Sequence, residues 1–177
     1  MLKGEKVRLV PPKREYIEQF QKWMNDPEIT QYLTIFRPIT REMEEDWYNE
    51  MQKNENDILF SIITLEKNNE ILIGNCDISV DWKNRIGKCG IIIGEKEYHG
   101  KGYGTEAMNL LVNYGFEKLC LNRIELVVHS FNSRALKSYL KVGFQKEVTK
   151  RHAVYINGEY HDSIMLSILR DEWQSKL

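Results

Sequence analysis

The chain has 177 residues, a length that favours one compact domain, 1–177, with a sizeable core. Apolar residues make up 42% of it, and 25 Lys and Arg against 26 Asp and Glu give a net charge of −1. This balance disfavours a disordered chain and a protein that binds nucleic acid. The start lacks the apolar segment of a signal peptide, and no apolar run approaches the roughly 20 residues that span a bilayer. We therefore expect a cytoplasmic protein with no membrane partner.

The N-terminal half is predicted to combine two helices with three strands. In chain order these are a strand over 6–10, a helix over 14–25, a helix beginning near Thr40, and strands over 58–66 and 71–80. Thr40 can cap its helix, because Met43, Trp47 and Met51 then recur every four residues on one face. A turn at Asn68–Asn69 joins the last two strands so closely that an antiparallel hairpin is the simplest connection.

The C-terminal half alternates strands and helices before a second hairpin. The predicted elements are strands over 89–93 and 124–128, helices over 104–119 and 132–142, and two strands flanking a turn at Asn157–Gly158. The apolar run 89–93 does not alternate, which is typical of a central strand covered on both faces. Helix 104–119 has only one narrow polar stripe and should be largely buried. This order indicates a layered α+β domain with a mixed sheet.

The cysteines and histidines do not suggest a disulfide framework or a metal site. Cys76, Cys89 and Cys120 are few and far apart, so we expect reduced, buried thiols. Cys89 and Cys120 have apolar neighbours that would raise a thiol pKa, and Cys76 has no histidine nearby in sequence. The four histidines lack the spacing of metal ligands, so we expect no metal.

The most informative segment is 94–107, in which Gly100, Gly102 and Gly104 stand between a predicted strand and a predicted helix. Alternating glycines let backbone N–H groups converge, and the helix adds about half a positive charge behind them. Such a cradle suits a pyrophosphate. A Walker A loop is excluded because Lys101 is followed by Gly102, and Gly-x-Gly-x-Gly differs from the dinucleotide fingerprint. A glycine-rich turn that holds no ligand is the alternative.

Two segments carry a resemblance to a known family. YHGKGYGTEA resembles the acetyl-coenzyme A (acetyl-CoA) loop of the GNAT superfamily of N-acetyltransferases, and NSRALKSYLKVGF, residues 132–144, resembles its later helix. WMNDPEITQYL, DWKNR and NGEYHDSIMLSILRDEW resemble the branch named for ribosomal-protein N-terminal acetyltransferases. The resemblance implies three α/β/α layers, with a mixed, mostly antiparallel sheet of about seven strands and a splayed central pair. It also implies acetyl transfer from acetyl-CoA, as co-substrate, to a primary amine on a protein N-terminus or a small molecule.

The resemblance further implies the site residues. Tyr139 would be the acid that stabilises the departing thiolate, without a metal. The implied cofactor-binding positions are Ile92, Ile93, Gly94, His99, Gly100, Lys101, Gly102, Tyr103, Gly104, Thr105, Asn132 and Lys137. The residues alone leave alternatives: Tyr139 as a core aromatic, Asn132 as a helix cap, and Arg134 and Lys137 as solvated side chains instead of partners of the 3′-phosphate.

The acceptor side is less defined by the sequence. The resemblance implies two departures from the family pattern: family members often carry glutamate where Lys88 stands, and Arg or Gln where His99 stands. The candidates for a general base are Asp77, Asp81 and Glu95, none of which stands out. Segment 40–57 has seven acidic residues interleaved with Trp47 and Tyr48, which suits either a mouth for a cationic amine or a solvated helix face.

We predict direct attack of the amine on the thioester in a ternary complex, without an acetyl-cysteine intermediate. The alternative from another class is a catalytically weak regulatory or sensor domain that binds acyl-CoA, which the lysine at position 88 keeps open. The loop spacing speaks against a protein that binds ATP or NAD. Members of the family are often dimers, so a monomer and a homodimer both stay open.

Overall fold

The computed structural model describes residues 2–66 and 70–175. Its strands are β1 Leu2–Lys3, β2 Val7–Val10, β3 Asp57–Thr64, β4 Leu72–Asp81, β5 Ile86–Ile93, β6 Arg123–His129, β7 Gln145–Ile156 and β8 Glu159–Leu169. Its α-helices are α1 Ile17–Met24, α2 Pro27–Thr30, α3 Arg41–Met51, α4 Tyr103–Glu117, α5 Ser133–Val142 and α6 Arg170–Gln174. Short 3₁₀ helices cover Arg14–Tyr16 and Lys96–Tyr98. The predicted turn at Asn68–Asn69 lies outside the described residues.

The strands form one sheet in the order β1-β2-β3-β4-β5-β6-β8-β7. Every neighbouring pair is antiparallel except β5 and β6, which run parallel. The predicted mixed, mostly antiparallel sheet is therefore confirmed, as are antiparallel pairing of β3 with β4 and of β7 with β8. The two-residue strand β1, which the sequence pattern does not indicate, brings the sheet to eight strands within the described part of the chain.

The parallel pair β5 and β6 separates after a short stretch of pairing. The register runs from Ile86↔Arg123 to Lys88↔Glu125, and no further pair follows. Beyond it, β5 continues to Ile93 and β6 to His129. This confirms the predicted splay of the central strands. The gap opens at the carboxyl ends of both strands, where α/β sheets commonly bind ligands.

The central helix α4 anchors the core, as its narrow polar stripe predicts. Met108, Leu111 and Phe116 are completely buried. The polar stripe of α4 also makes a tertiary contact: the Glu106 carboxylate accepts three hydrogen bonds of 2.8 Å from the backbone N–H groups of residues 5–7, at the start of β2. These bonds join the N-terminal strands to the helix whose first turn faces the gap.

Two local expectations were wrong, and one helix buries a residue that its sequence pattern does not indicate. Residues 90–93 of β5 are only half-buried, since they line the gap instead of being covered on both faces. In α3 the predicted Thr40 cap is confirmed; Met43, Trp47 and Met51 are half-buried, and the buried side chain of this helix is Glu44. Burial raises the pKa of Glu44 to about 7. Cys120 is exposed, in a left-handed turn after α4, whereas Cys76 and Cys89 are buried as expected.

Candidate active site

A cleft of about 540 Å³ occupies the gap between β5 and β6. It is walled by the loop before α4, by α5, and by the segment that follows α2. Ten of the predicted site residues line it: Ile92, Ile93, His99, Gly100, Gly102, Gly104, Thr105, Asn132, Lys137 and Tyr139. Gly94, Lys101 and Tyr103 lie outside this lining, and the Tyr103 hydroxyl donates to Glu66 instead.

The loop before α4 has the conformation that an anion cradle requires. Gly100 and Gly102 have φ values of +72° and +91°, a left-handed region that favours glycine. Gly102 is the N-cap residue of the 15-residue helix α4, and no side chain caps this end of the helix. The backbone N–H groups of the first helical turn therefore point, uncapped, from the positive end of the helix. Lys6 places a positive charge beside this loop, where its Nζ donates a hydrogen bond of 2.8 Å to the Lys101 carbonyl oxygen. The sequence offered no sign of this lysine.

Basic side chains continue this positive end along the cleft. Arg134, Lys137 and Lys141 of α5 all line it. The loop and α5 are also held together, since the hydroxyls of Thr105 and Ser138 lie 2.7 Å apart. Together, the glycine loop, the uncapped helix and the basic residues fit a ligand that carries several phosphates, such as CoA.

Backbone groups of β5 form the middle of the cleft. The Gly94 N–H points towards β4 and donates a hydrogen bond of 2.8 Å to the Ile73 carbonyl oxygen. Because N–H and C=O directions alternate along an antiparallel ladder, Ile91 and Ile93 direct theirs to the opposite side, into the gap. Gly94 itself faces away from the cleft, and a Cβ built on it would lie 2.0 Å from the Trp23 ring.

Asn132 and Tyr139 of α5 also line the cleft. The Asn132 side chain accepts the Ala135 N–H at 3.2 Å, so its predicted role as helix cap is confirmed. Tyr139 is 8% exposed and packs edge-on against Phe144. Its hydroxyl has no hydrogen-bond partner within 2–66 and 70–175. Burial, followed by the nearby Cys89 thiol, raises the pKa of Tyr139, so the phenol keeps its proton at neutral pH.

Asp77 of β4 is the carboxylate of the cleft. It is paired in the ladder with Gly90, and a Cβ on that glycine would lie 3.0 Å from the carboxylate oxygen, so a larger residue would crowd it. Burial, followed by the charge of Asp57, raises the pKa of Asp77 to about 6, although Lys88 opposes the shift. Among the described residues that line the cleft, no other side chain carries a carboxylate.

The other two candidate bases lie outside the lining. Asp81 is exposed at the end of β4, where its carboxylate accepts the Asn84 backbone N–H at 3.0 Å and a side-chain N–H of the same residue at 2.7 Å. Glu95 accepts hydrogen bonds from Gln19 at 2.7 Å and from Trp23 at 3.0 Å. Proximity in sequence could not separate these three acids, because the register between β4 and β5 decides which carboxylate faces the cleft.

The opposite wall of the cleft is mainly apolar. It is lined by Ile29, Tyr32, Leu33, Val127, Val128 and His129. Of the two alternatives for segment 40–57, the mouth for a cationic amine does not form at this cleft: Trp47 packs against Phe20 of α1, and Tyr48 donates to the Pro12 carbonyl. The acidic face of α3 therefore does not border the cleft. The described residues contain no cluster of three or more potential metal ligands, and no helix among them is long and apolar enough to cross a membrane.

Comparisons with known proteins agree with this geometry. The family model for the acetyltransferase (GNAT) domain matches residues 6–145. The uncharacterized N-acetyltransferase p20 of Bacillus licheniformis is 32% identical over 96% of each chain. The spermidine N(1)-acetyltransferase of Escherichia coli (strain K12) is 34% identical over 54% of this chain and 51% of its own. The crystal structure of Vibrio cholerae spermidine N-acetyltransferase in complex with CoA and spermine matches with a TM-score of 0.88 at 25% identity, covering 97% of this chain and 99% of that one.

The fold, the cleft and these relatives define an acyltransferase that uses acetyl-CoA as co-substrate. The chain belongs to the GNAT acetyltransferase family, as the glycine loop and the later helix predict. Its reaction is the transfer of an acetyl group to an amine.

Proposed function

We propose that this enzyme acetylates a primary amine attached to an apolar body, such as the N-terminus of a peptide with an apolar first residue. This proposal rests on the residues of the acceptor side of the cleft, by which we mean Asp77 and the mainly apolar wall described above. Asp77 is the single carboxylate among the described lining residues, and the wall formed by Ile29, Leu33, Val127 and Val128 is apolar. One carboxylate suits one amine, whereas a polyamine of several charges would need several acidic partners along its length.

The proposed acceptor also matches the polar groups of that wall. His129 lines the cleft, and its Nδ1 is buried with no hydrogen-bond partner among the described residues. Burial lowers the pKa of His129, which favours the neutral imidazole at pH 7. A neutral imidazole can bond to a peptide amide next to the reacting amine. Val127 and Leu33 then offer apolar surface to the first side chain.

The proposed chemistry begins with a proton on the acceptor amine. Asp77 takes this proton, directly or through a water, and the freed nitrogen attacks the thioester carbonyl carbon. The gap-facing N–H groups of Ile91 and Ile93 are candidates to stabilise the developing oxyanion. As the C–S bond breaks, Tyr139 donates a hydrogen bond to the departing thiolate. The protonated amine loses two protons in all: Asp77 passes the first to solvent, and the second, released from the nitrogen after the attack, ends on the sulfur. The products are an N-acetyl amide, CoA and one proton.

Two observations support direct attack over an acetyl-cysteine route. Burial raises the pKa of both Cys76 and Cys89, so neither is a thiolate at neutral pH. Cys120 is exposed but lies outside the cleft lining. Initial rates measured over a grid of acetyl-CoA and acceptor concentrations should give intersecting double-reciprocal lines. Parallel lines would indicate a covalent intermediate and overturn this part of the proposal.

The acceptor is tested by CoA thiol release across a panel of amines. The panel holds matched peptides with Leu or Glu as first residue, the N-acetylated Leu peptide as control, spermidine, spermine and an aminoglycoside. We expect kcat/KM for the Leu peptide to exceed that for spermidine at least about tenfold, since one missing polar partner commonly costs that much. A preference for spermidine would refute the acceptor assignment.

A melting curve with acetyl-CoA accompanies the panel. A ligand at 100 times its dissociation constant stabilises a protein by about 2.7 kcal/mol. A raised melting temperature together with no turnover on any amine would favour the alternative of a weakly catalytic acyl-CoA-binding domain.

A further inference from the structure

The His99 side chain bridges two walls of the cleft. Its Nε2 lies 2.7 Å from the Ile93 carbonyl oxygen, and its Nδ1 lies 2.8 Å from Nη1 of Arg134, 35 residues along the chain. A guanidinium group only donates hydrogen bonds, so Nδ1 is the acceptor and Nε2 carries the proton. Both ring nitrogens are thus used within the protein. This histidine has no nitrogen left for a phosphate of CoA.

Arg134 extends the bridge to the acceptor side. Its guanidinium lies over the Tyr32 ring, 5.7 Å from the centroid. Tyr32 in turn stacks on Phe131 at 5.7 Å. A continuous chain of contacts therefore runs from the β5 backbone at Ile93, through His99 and Arg134, to the apolar wall that the proposed acceptor would touch.

We infer that His99 and Arg134 are positioning residues that set the Tyr32 wall at a fixed distance from the Ile93 backbone and thereby govern acceptor binding. This inference rests on the proposed function, because Tyr32 belongs to the acceptor side only if the amine enters there. It assigns His99 to the acceptor instead of to the cofactor, the role that the glycine-loop resemblance implies. A shift of about 1 Å between reacting groups is enough to cost a large factor in rate.

A second link holds the same segment and has to be separated from the first. Lys96 lies 2.9 Å from Asp26 and 3.1 Å from Glu28, at the start of α2. The Lys96 side chain is 43% exposed, so this pair is weak and is screened by salt. Measurements at high salt therefore isolate the His99–Arg134 bridge.

Protonation of His99 should break the bridge. A second ring proton would turn Nδ1 into a donor that faces the Arg134 guanidinium, so two like charges would meet. Burial lowers the pKa of His99 below 6.5, with Arg134 and Lys96 acting in the same direction and the Ile93 carbonyl and Glu28 opposing them. The bridge is therefore intact at pH 7 and should open on acidification.

The test compares His99→Gln with His99→Leu at high salt. A glutamine amide can donate to Ile93 and accept from Arg134, whereas leucine can do neither. We expect His99→Leu to raise the acceptor KM at least about tenfold while the acetyl-CoA dissociation constant, measured by calorimetry, changes less than about threefold. His99→Gln should restore most of the acceptor binding. A His152→Leu variant, at an exposed position on β7, is the matched control.

Two further measurements make the inference independent of turnover. Backbone hydrogen exchange over residues 26–33 should accelerate in His99→Leu and not in His99→Gln, even if no acceptor is turned over. Below pH 6 the acceptor KM should rise more steeply in the wild type than in His99→Gln, because Asp77 titrates in both. A raised acetyl-CoA dissociation constant with an unchanged acceptor KM would overturn the inference. Unchanged exchange in His99→Leu, or equal acceleration in both variants, would also overturn it.

Discussion

Replacement of Asp77 by Asn should lower activity and raise stability at the same time. The carboxylate lines the cleft, and its pKa is raised from 3.8 to about 6, mainly by burial. General base catalysis contributes roughly 10²–10⁴-fold, so kcat/KM should fall by at least about 10²-fold. The acid limb near pH 6 in the wild-type profile should disappear in the variant. Asparagine keeps the size of the side chain, so packing against Gly90 is preserved.

The stability gain follows from the raised pKa. Below pH 3.8 the carboxyl group is neutral in both the folded and the unfolded chain, and it does not favour either. Between pH 4 and about 6 the unfolded chain ionises first, so the stability of the wild type falls as pH rises. Above pH 6 the penalty is constant, at most about 3 kcal/mol. Asp77→Asn removes it, and each kcal/mol raises the melting temperature by about 2–4 °C in a chain of this size.

The assay is CoA thiol release between pH 5 and 9, paired with thermal unfolding at pH 4 and pH 7. The melting temperature of Asp77→Asn should exceed that of the wild type at pH 7 and approach it at pH 4. Asp81→Asn, an exposed acid at the end of the same strand, is the matched control and should keep wild-type activity. Wild-type turnover in Asp77→Asn, or a joint loss of turnover and stability, would refute the reasoning.

Three further predictions concern other parts of the chain. Tyr139→Phe should lower turnover by about 10²-fold or more with nearly unchanged acetyl-CoA affinity, and unchanged turnover would remove Tyr139 from the mechanism. Gly94→Ala should lower the urea midpoint strongly, because its Cβ would lie 2.0 Å from the rigid Trp23 ring; an unchanged midpoint would contradict this packing. The pKa of Glu147 is lowered to about 2, first by its hydrogen bond with Arg123. Its stabilising effect is therefore present above pH 4.5 and lost towards pH 2, so pH unfolding curves of Glu147→Gln and the wild type should converge in acid.

Features with a local cause were predictable from the sequence. Thr40 caps α3, and Gly143 ends α5 with a φ of +117°. The polar stripe of α4 predicted a buried helix, because its period depends only on helix geometry. The apolar run 89–93 was harder, since a strand that borders a cleft and a strand covered on both faces have the same composition. The end of its pairing with β6, which distinguishes them, is a tertiary property.

The site divides in the same way. The glycine loop was found because its three glycines alternate within five residues, 100–104, of the sequence. Asp77 could not be chosen over Asp81, because its partner Gly90 belongs to the next strand and the β4–β5 register decides which acid borders the gap. The bridge between His99 and Arg134 spans 35 residues and has no sequence signal. Lysine at position 88 does not deprive the cleft of a carboxylate, since the adjacent strand supplies one.

The most direct test of the account is acetyl transfer by the wild type and by a variant that carries both Asp77→Asn and Tyr139→Phe. The acceptor is the best amine of the panel, the product is identified by its mass, and acetyl-CoA binding is measured by calorimetry in both proteins. We expect an acetylated amine from the wild type. We also expect nearly equal acetyl-CoA affinity in the two proteins and a turnover at least about 10³-fold lower in the variant. Wild-type turnover in the double variant would show that the chemistry takes place elsewhere.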